Sequence, residues 1–172
     1  MFEVQISNPT LTGCFDKDNS TLNEAIQTIF AFGTEQAFFN WNHVYIPLDY
    51  KYDISEMIND ILLIRDNLTN QEEGSFQVQW KSNTFPYSWD ILFSQNTVKI
   101  NLTIMFEEFT HLACVLQKNA NIQVEKYAFI HELEKLINFI REKLTCSGYN
   151  TTNLPEMDCL NFHRPTNSSN SQ

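Results

Sequence analysis

The stretch from Gly74 to Ile104 constrains the fold most, because apolar residues occupy alternate positions there over three separate runs. A period of two places successive side chains on opposite faces of a strand, so each run predicts a strand with one apolar face. Ser94-Gln95-Asn96 separates the second run from the third and is short enough to require a hairpin. The stretch therefore predicts three antiparallel strands. Their apolar positions are Phe76, Val78 and Trp80, then Trp89, Ile91 and Phe93, then Val98, Ile100, Leu102 and Ile104.

Two capping boxes predict helices earlier in the chain. Thr21 and Glu24 have the spacing of a capping box at the start of one helix, and Asp53 and Glu56 repeat it at the start of a second. In such a box the first side chain accepts from a backbone N–H three residues on, and the acidic side chain reaches back to the cap. We therefore expect the second helix to begin at Asp53.

A third helix is predicted over residues 124–144, where apolar side chains form a stripe and charged side chains occupy the rest of the surface. The stripe consists of Tyr127, Ile130, Leu133, Ile137, Ile140 and Leu144. Residues 105–117 fit either a helix or a buried strand, and we favour the helix.

Two further strands are expected ahead of the second helix. Residues 2–6 alternate between apolar and polar types, and residues 41–50 are rich in aromatic and β-branched types. Pro47 has no N–H to donate to a sheet, so the second of these strands is either an edge strand or broken at Pro47.

Length and composition favour a single α+β domain over residues 1–145. The 172 residues are 42% apolar and 13% aromatic, as in a packed globular protein. We expect an antiparallel sheet of about four to five strands, with helices packed on one face and polar side chains exposed on the other. The polar positions are Gln77, Gln79, Lys81, Asp90, Lys99 and Asn101. Residues 146–172 are rich in Asn, Thr, Ser and Pro and predict a polar tail that is loosely attached or disordered.

The chain is strongly acidic. It has 21 Asp and Glu residues against 11 Lys and Arg residues, a formal charge of -10. Such a charge repels phosphate backbones and anionic lipid, so we expect neither direct nucleic-acid binding nor membrane binding. Solubility alone explains an acidic surface. The alternative is a basic protein partner, because complementary potentials accelerate encounter and reject wrong partners.

The amino terminus and the cysteines both indicate the cytoplasm. Residues 1–6 lack the basic start and the long apolar run of a secretory signal. Few cysteines in a chain of this length indicate free thiols in a reducing compartment. They are Cys14, Cys114, Cys146 and Cys159.

Signatures of catalysis and metal binding are weak. Isolated glycines supply no phosphate-binding loop. The nearest candidates for metal ligands are His111 with Cys114, and Cys159 with His163, but neither pair belongs to a larger cluster. Cys114 with His131 has no local signature of a nucleophile and its base. We therefore expect no cofactor, no bound metal and no enzymatic activity.

The run Asp49-Tyr50-Lys51-Tyr52-Asp53 combines aromatic and acidic side chains. Exposed tyrosines beside carboxylates are typical of the anchors and rim of a protein interface. The structural alternative is that Asp53 caps a helix and that one tyrosine packs on the core.

Several segments resemble small bacterial proteins. They are Trp41-Asn42-His43-Val44, Ile46-Pro47-Leu48 and Tyr50-Lys51-Tyr52-Asp53-Ile54-Ser55, followed by a helix rich in Met and Ile, and the turn Asn83-Thr84-Phe85 in an antiparallel sheet. In these segments the chain is similar to immunity proteins of bacterial toxin systems, including contact-dependent inhibition. The resemblance implies a protein that binds a cognate toxin stoichiometrically and neutralises it. The implied partner is a basic toxin, such as a nuclease.

The candidate contacts with such a partner combine acidity or aromaticity with expected exposure. They are Asp49, Tyr50, Tyr52, Glu107 and Glu108. Two other classes of function remain open. One is an enzyme whose active site is assembled from distant residues, for example His43, His111 and Asp90. The other is a structural or adaptor subunit of a bacterial or phage assembly.

Overall fold

Seven strands and four α-helices make up the part of the chain that the computed structural model describes, residues 1–80, 82, 84–105 and 111–161. The strands are β1 (Phe2–Gln5), β2 (Ala37–Trp41), β3 (Val44–Leu48), β4 (Gly74–Gln79), β5 (Tyr87–Phe93), β6 (Thr97–Ile104) and β7 (Asn121–Glu125). The α-helices are α1 (Leu22–Ile29), α2 (Ser55–Asn70), α3 (His111–Lys118) and α4 (Lys126–Cys146). A π-helical turn over Tyr50–Ile54 leads into α2, and a 3₁₀ helix over Pro155–Leu160 follows α4.

The described strands pair antiparallel throughout, which confirms the α+β class. They form two sheets where the sequence predicted one: three strands in the order β1-β2-β3, and four in the order β4-β5-β6-β7. The three strands expected between Gly74 and Ile104 are β4, β5 and β6. Strand β7 was not expected, and it adds the fourth member of the larger sheet.

Strands β2 and β3 form a hairpin with the two-residue turn Asn42-His43. Both turn residues have positive φ, 46° and 66°, which suits the right-handed twist of the flanking strands. The sequence predicted one strand over residues 41–50, whereas the structure ends that strand at Leu48 and places β2 before the turn. Pro47 lies in β3 at the edge of its sheet, as expected.

An aromatic cluster centred on Trp89 of β5 joins the two sheets. Its ring centroid lies 5.2 Å from that of Trp41, 5.8 Å from that of Phe39 and 5.9 Å from that of Phe2, all in the three-stranded sheet. Trp80 also packs edge-on against Trp89, with ring centroids 4.7 Å apart. Such tilted and edge-to-face pairs add to the large apolar area that each ring buries.

Helices α1, α2 and α4 pack on one another, and α4 also packs against β1. The predicted stripe of α4 is confirmed from Ile130 onward, but Tyr127 is 73% exposed and Phe129 takes the buried position instead. The helix favoured within residues 105–117 corresponds to α3, which begins at His111, while residues 106–110 lie outside the described part. No helix in the described ranges is long and apolar enough to cross a membrane.

The two predicted capping boxes have different outcomes. In α1 the Thr21 hydroxyl accepts from the Glu24 N–H, and the Glu24 carboxylate accepts from the Thr21 N–H at 3.1 Å, which confirms the first box. The second is wrong, because Asp53 does not cap α2. Asp49 caps the π-helical turn that precedes α2, and the Asp53 carboxylate is buried among other donors.

The chain after α4 packs on the core, which corrects the expectation of a loose tail from residue 146. Four apolar side chains of this segment are buried: Tyr149, Leu154, Met157 and Leu160. The Tyr149 hydroxyl also accepts from Asn19 Nδ2 at 2.7 Å, and the Cys159 carbonyl accepts from Arg65 Nη2 at 2.8 Å. A few well-placed anchors thus order a segment whose overall composition is polar. Residues 162–172 lie outside the described part.

We expect Leu160→Ala to lower the free energy of unfolding by about 2–5 kcal/mol, as for other buried leucines that leave a cavity. Leu63→Ala on α2 is the matched control, because Leu63 is 50% exposed and its truncation should change stability by about 0.5 kcal/mol or less. Urea unfolding followed by circular dichroism measures both. Equal, small effects of the two substitutions would show that the segment is attached loosely after all.

Candidate interaction surface

The open end of the β2–β3 hairpin brings two loops together. Ala37 pairs with Leu48, so the residues before β2 and after β3 lie side by side. There Phe32 and Tyr52 are in edge-to-face contact, with ring centroids 5.4 Å apart. Both side chains are exposed, Phe32 to 71% and Tyr52 to 48%. We call Phe32, Asp49, Lys51 and Tyr52 the Phe32–Tyr52 patch.

The π-helical turn fixes the orientation of Tyr52. The Asp49 carboxylate accepts from the Tyr52 N–H at 2.9 Å, and the Asp49 carbonyl accepts from the N–H groups of both Asp53 and Ile54 at 3.0 Å. Lys51 Nζ lies 5.9 Å from the centroid of the Tyr52 ring, within reach of a cation–π contact. Single π turns are rare, and those inside α-helices are frequently found at functional sites.

Asp53 anchors this turn from inside the protein. Its side chain is 4% exposed and accepts from the Asp49 N–H at 2.8 Å and from the hydroxyls of Ser82 and Thr84. Neutral donors therefore satisfy the carboxylate, and they tie the loop between β4 and β5 to the π-helical turn. Asp53 positions the patch and is not itself available to a partner.

Tyr50 is a core residue, which corrects its place among the predicted contacts. It is 1% exposed and stacks on Phe30, with ring centroids 5.0 Å apart. Its hydroxyl accepts from the Ser7 N–H at 3.1 Å. Burial raises the pKa of Tyr50, the hydrogen bonds from Ser7 oppose the rise, and the negative charge of Glu35 adds to it.

The raised pKa of Tyr50 predicts a pH dependence of stability. The neutral phenol is favoured in the folded state, so its contribution is complete below the unfolded-state pKa of about 10 and is lost as pH rises through the higher folded-state pKa. Tyr50→Phe removes this titration, so we expect the stability difference between wild type and variant to shrink between about pH 9 and about pH 11. Urea unfolding of both proteins across that range measures the difference. A constant difference would contradict the assignment.

The remaining predicted contacts divide between the patch and the undescribed part of the chain. Asp49 and Tyr52 lie in the patch, whereas Glu107 and Glu108 lie outside the described residues. Phe32 was missed. The only signal for it in the sequence is its place just before Gly33, which has a φ of 70° in the turn that follows α1.

The residues proposed for an assembled active site lie on different elements. His43 lies in the β2–β3 turn, His111 begins α3, and Asp90 lies on the outer face of β5. The Asp90 carboxylate accepts from Gln77 Nε2 at 2.7 Å. Across the described ranges, no hydrogen bond joins any two of the three proposed side chains. The described contacts therefore do not connect these three residues into one active site.

The candidate metal ligands and thiols are likewise scattered. Within residues 1–80, 82, 84–105 and 111–161, no group of three His, Cys, Asp or Glu side chains could hold a metal ion. The cysteines are unpaired and exposed, as expected of free thiols. In the second proposed metal pair, Cys159 with His163, the histidine lies outside the described part.

The outer face of the four-stranded sheet is a second open surface. It forms a shallow groove of about 620 Å³, whose exposed area is mostly apolar and whose polar side chains are mostly uncharged, apart from Asp90 and Lys99. The predicted polar face is confirmed there, while Lys81 lies outside the described residues. Leu92 is 56% exposed in the same groove. Among the described residues, this face has no exposed aromatic pair of the kind found in the Phe32–Tyr52 patch.

Comparison with known proteins gives no match, so an argument about function has to start from the surface of the protein. No family model, no curated protein and no solved structure matches the chain. The fold therefore carries no function over from a relative, and a proposal has to rest on exposed chemistry.

Proposed function

We propose that this chain is an immunity protein, which binds a cognate bacterial toxin in the cytoplasm by stoichiometric protein–protein interaction and neutralises it. The Phe32–Tyr52 patch is the observation that carries the proposal. Two exposed aromatic rings in contact with each other bury large area at low entropic cost, and such residues dominate the energy of protein interfaces. Asp49 beside them provides an acidic rim.

The charge of the chain favours a basic partner. A formal charge of -10 creates a negative potential that accelerates the approach of a basic protein and repels nucleic acid. A toxin that acts on nucleic acid needs a basic surface for its substrate. An acidic inhibitor with aromatic anchors fits that surface and competes with the substrate for it.

The resemblance to immunity proteins of toxin systems, which covers residues 41–144, supports the same proposal. That segment includes the β2–β3 turn, the edge strand β3 and the π-helical turn. It therefore contains Asp49, Lys51 and Tyr52 of the patch. In this proposal the chain acts by covering the active site of the toxin or a surface close to it, and it performs no catalysis itself.

We expect the double substitution of Phe32→Ala and Tyr52→Ala to weaken binding of the toxin about 30-fold or more, equivalent to about 2 kcal/mol. The partner to use is the protein encoded immediately upstream of this chain in its genome. Titration calorimetry measures affinity and stoichiometry, and growth of cells that express the toxin measures protection. The double variant should lose protection where the wild type restores growth.

Tyr127→Ala is the matched control, because Tyr127 is a comparably exposed aromatic residue on α4, outside the patch. It should retain wild-type affinity and protection. Unchanged affinity in a folded double variant would exclude the patch as the binding surface. Absence of one-to-one binding and of protection with the wild-type chain would refute the immunity function itself.

The charge argument makes a separate prediction about kinetics. We expect the association rate constant to fall by about tenfold or more between about 50 mM and about 500 mM salt, because screening shortens the range of the attraction. The dissociation rate constant should change much less, since the aromatic contacts are short-range. Stopped-flow mixing with the same toxin measures both constants. An association rate independent of salt would show that the acidic surface does not guide the encounter.

A further inference from the structure

Three of the four sheet edges each have a feature that hinders pairing with another strand. At β1 the outward N–H of Val4 donates to Glu132 Oε2 at 2.7 Å. At β3 one of the outward positions is taken by Pro47, which has no N–H. At β7 the Asn121 carbonyl accepts from Asn42 Nδ2 at 3.0 Å. Folded proteins commonly protect exposed edges by such means.

Strand β4 forms the fourth edge and has none of these protections. Its six residues contain no proline and no charged side chain. The Trp80 N–H donates to the Tyr87 carbonyl at 3.1 Å, so the antiparallel alternation directs the backbone groups of Ser75, Gln77 and Gln79 away from β5. Within the described residues these three N–H groups have no hydrogen-bond partner. The edge therefore offers donors and acceptors in the pattern that another strand requires.

The side chains along β4 leave this backbone accessible. Gln79 Nε2 donates to Gln77 Oε1 at 3.3 Å, and Gln77 Nε2 donates to Asp90 Oδ1 at 2.7 Å. These contacts hold both glutamine side chains over the outer face of the sheet and towards β5. They do not fold over the free edge.

We infer that β4 pairs antiparallel with β4 of a second copy of this chain, about a two-fold axis at Gln77, and joins the two four-stranded sheets into one of eight strands. This register places Gln77 opposite Gln77 of the copy and Ser75 opposite Gln79. It uses the outward groups of all three residues, whereas a two-fold axis at Phe76 or Val78 uses those of only two. Two-fold contacts of this kind are self-complementary and closed.

The neutral strand permits pairing with a second copy, although the net charge of -10 on each chain opposes their approach at long range. The chain has a formal charge of -10, yet the side chains of β4 itself are neutral. Pairing two copies here puts no like charges directly opposite each other in the strand, and such charges would otherwise oppose it. A basic protein is attracted to the acidic surfaces elsewhere. The association uses backbone groups of β4, none of which belongs to the Phe32–Tyr52 patch.

Pairing along a strand of six residues buries little area, so we expect a weak dimer. A contact below about 1,200 Å² belongs to the transient class of interfaces. We expect a dissociation constant of about 10–100 µM, which analytical ultracentrifugation resolves over chain concentrations from about 1 µM to about 1 mM.

Gln77→Pro tests the inference. The Gln77 N–H points away from β5, so proline removes the donor to the second copy and keeps the ladder to β5, as Pro47 does at the edge of β3. We expect the dissociation constant to rise about tenfold or more in sedimentation, while Gln77→Thr, which keeps the N–H, retains the dimer. Circular dichroism checks that both variants fold. Wild type that stays monomeric throughout, or folded Gln77→Pro that dimerises as wild type does, would overturn the inference.

A cross-link tests the register and does not depend on how well proline is tolerated. The four native cysteines are replaced by serine, and Gln77→Cys or Gln79→Cys is added to that background. Directly opposite residues of an antiparallel pair lie about 4.5–5.5 Å apart between Cα atoms, within reach of a disulfide. We expect Gln77→Cys to form a covalent dimer under mild oxidation and Gln79→Cys to form little. Equal cross-linking of the two variants, or none in either, would overturn the two-fold pairing.

Discussion

The contact of Trp89 with the three-stranded sheet is the interaction on which the rest of this structure depends. Trp89 lies in a central strand of one sheet and packs against Phe39 and Trp41 of the other sheet. Phe2 extends the same cluster to Phe129 of α4, with ring centroids 4.7 Å apart. Close packing at this joint sets how the β2–β3 hairpin lies on the larger sheet. It therefore also sets where the open end of the hairpin, with its exposed aromatic pair, faces the surroundings.

Local patterns predicted the parts of the fold that local physics determines. The capping box at Thr21 and the strict alternation of β4, β5 and β6 needed no tertiary information. Strand β2 escaped prediction because both faces of Phe39-Asn40-Trp41 are buried, which removes the alternation. Its turn, Asn42-His43, also lacks the glycine that usually marks a hairpin. The segment around Leu160 was missed because a polar composition does not show that a few apolar side chains pack on the core.

The candidate site was predictable only in part, because exposure is a tertiary property. Acidic and aromatic residues in one run correctly indicated that Tyr52 is exposed, whereas Asp49 of the same turn is half-buried. The same run could not show that Tyr50, two residues from Tyr52, points into the core against Phe30. Nor could it show that Phe32 comes beside Tyr52, since that contact depends on the pairing of β2 with β3. A contact between distant segments leaves no trace in local spacing.

The position of the tryptophans has a spectroscopic consequence. All three of them, Trp41, Trp80 and Trp89, are buried in the one cluster. Indole rings this close together exchange excitation energy. Because they are also shielded from water, they emit at short wavelength. The three tryptophans therefore behave as a single chromophore. The intrinsic emission of the chain therefore reports whether the two sheets remain joined.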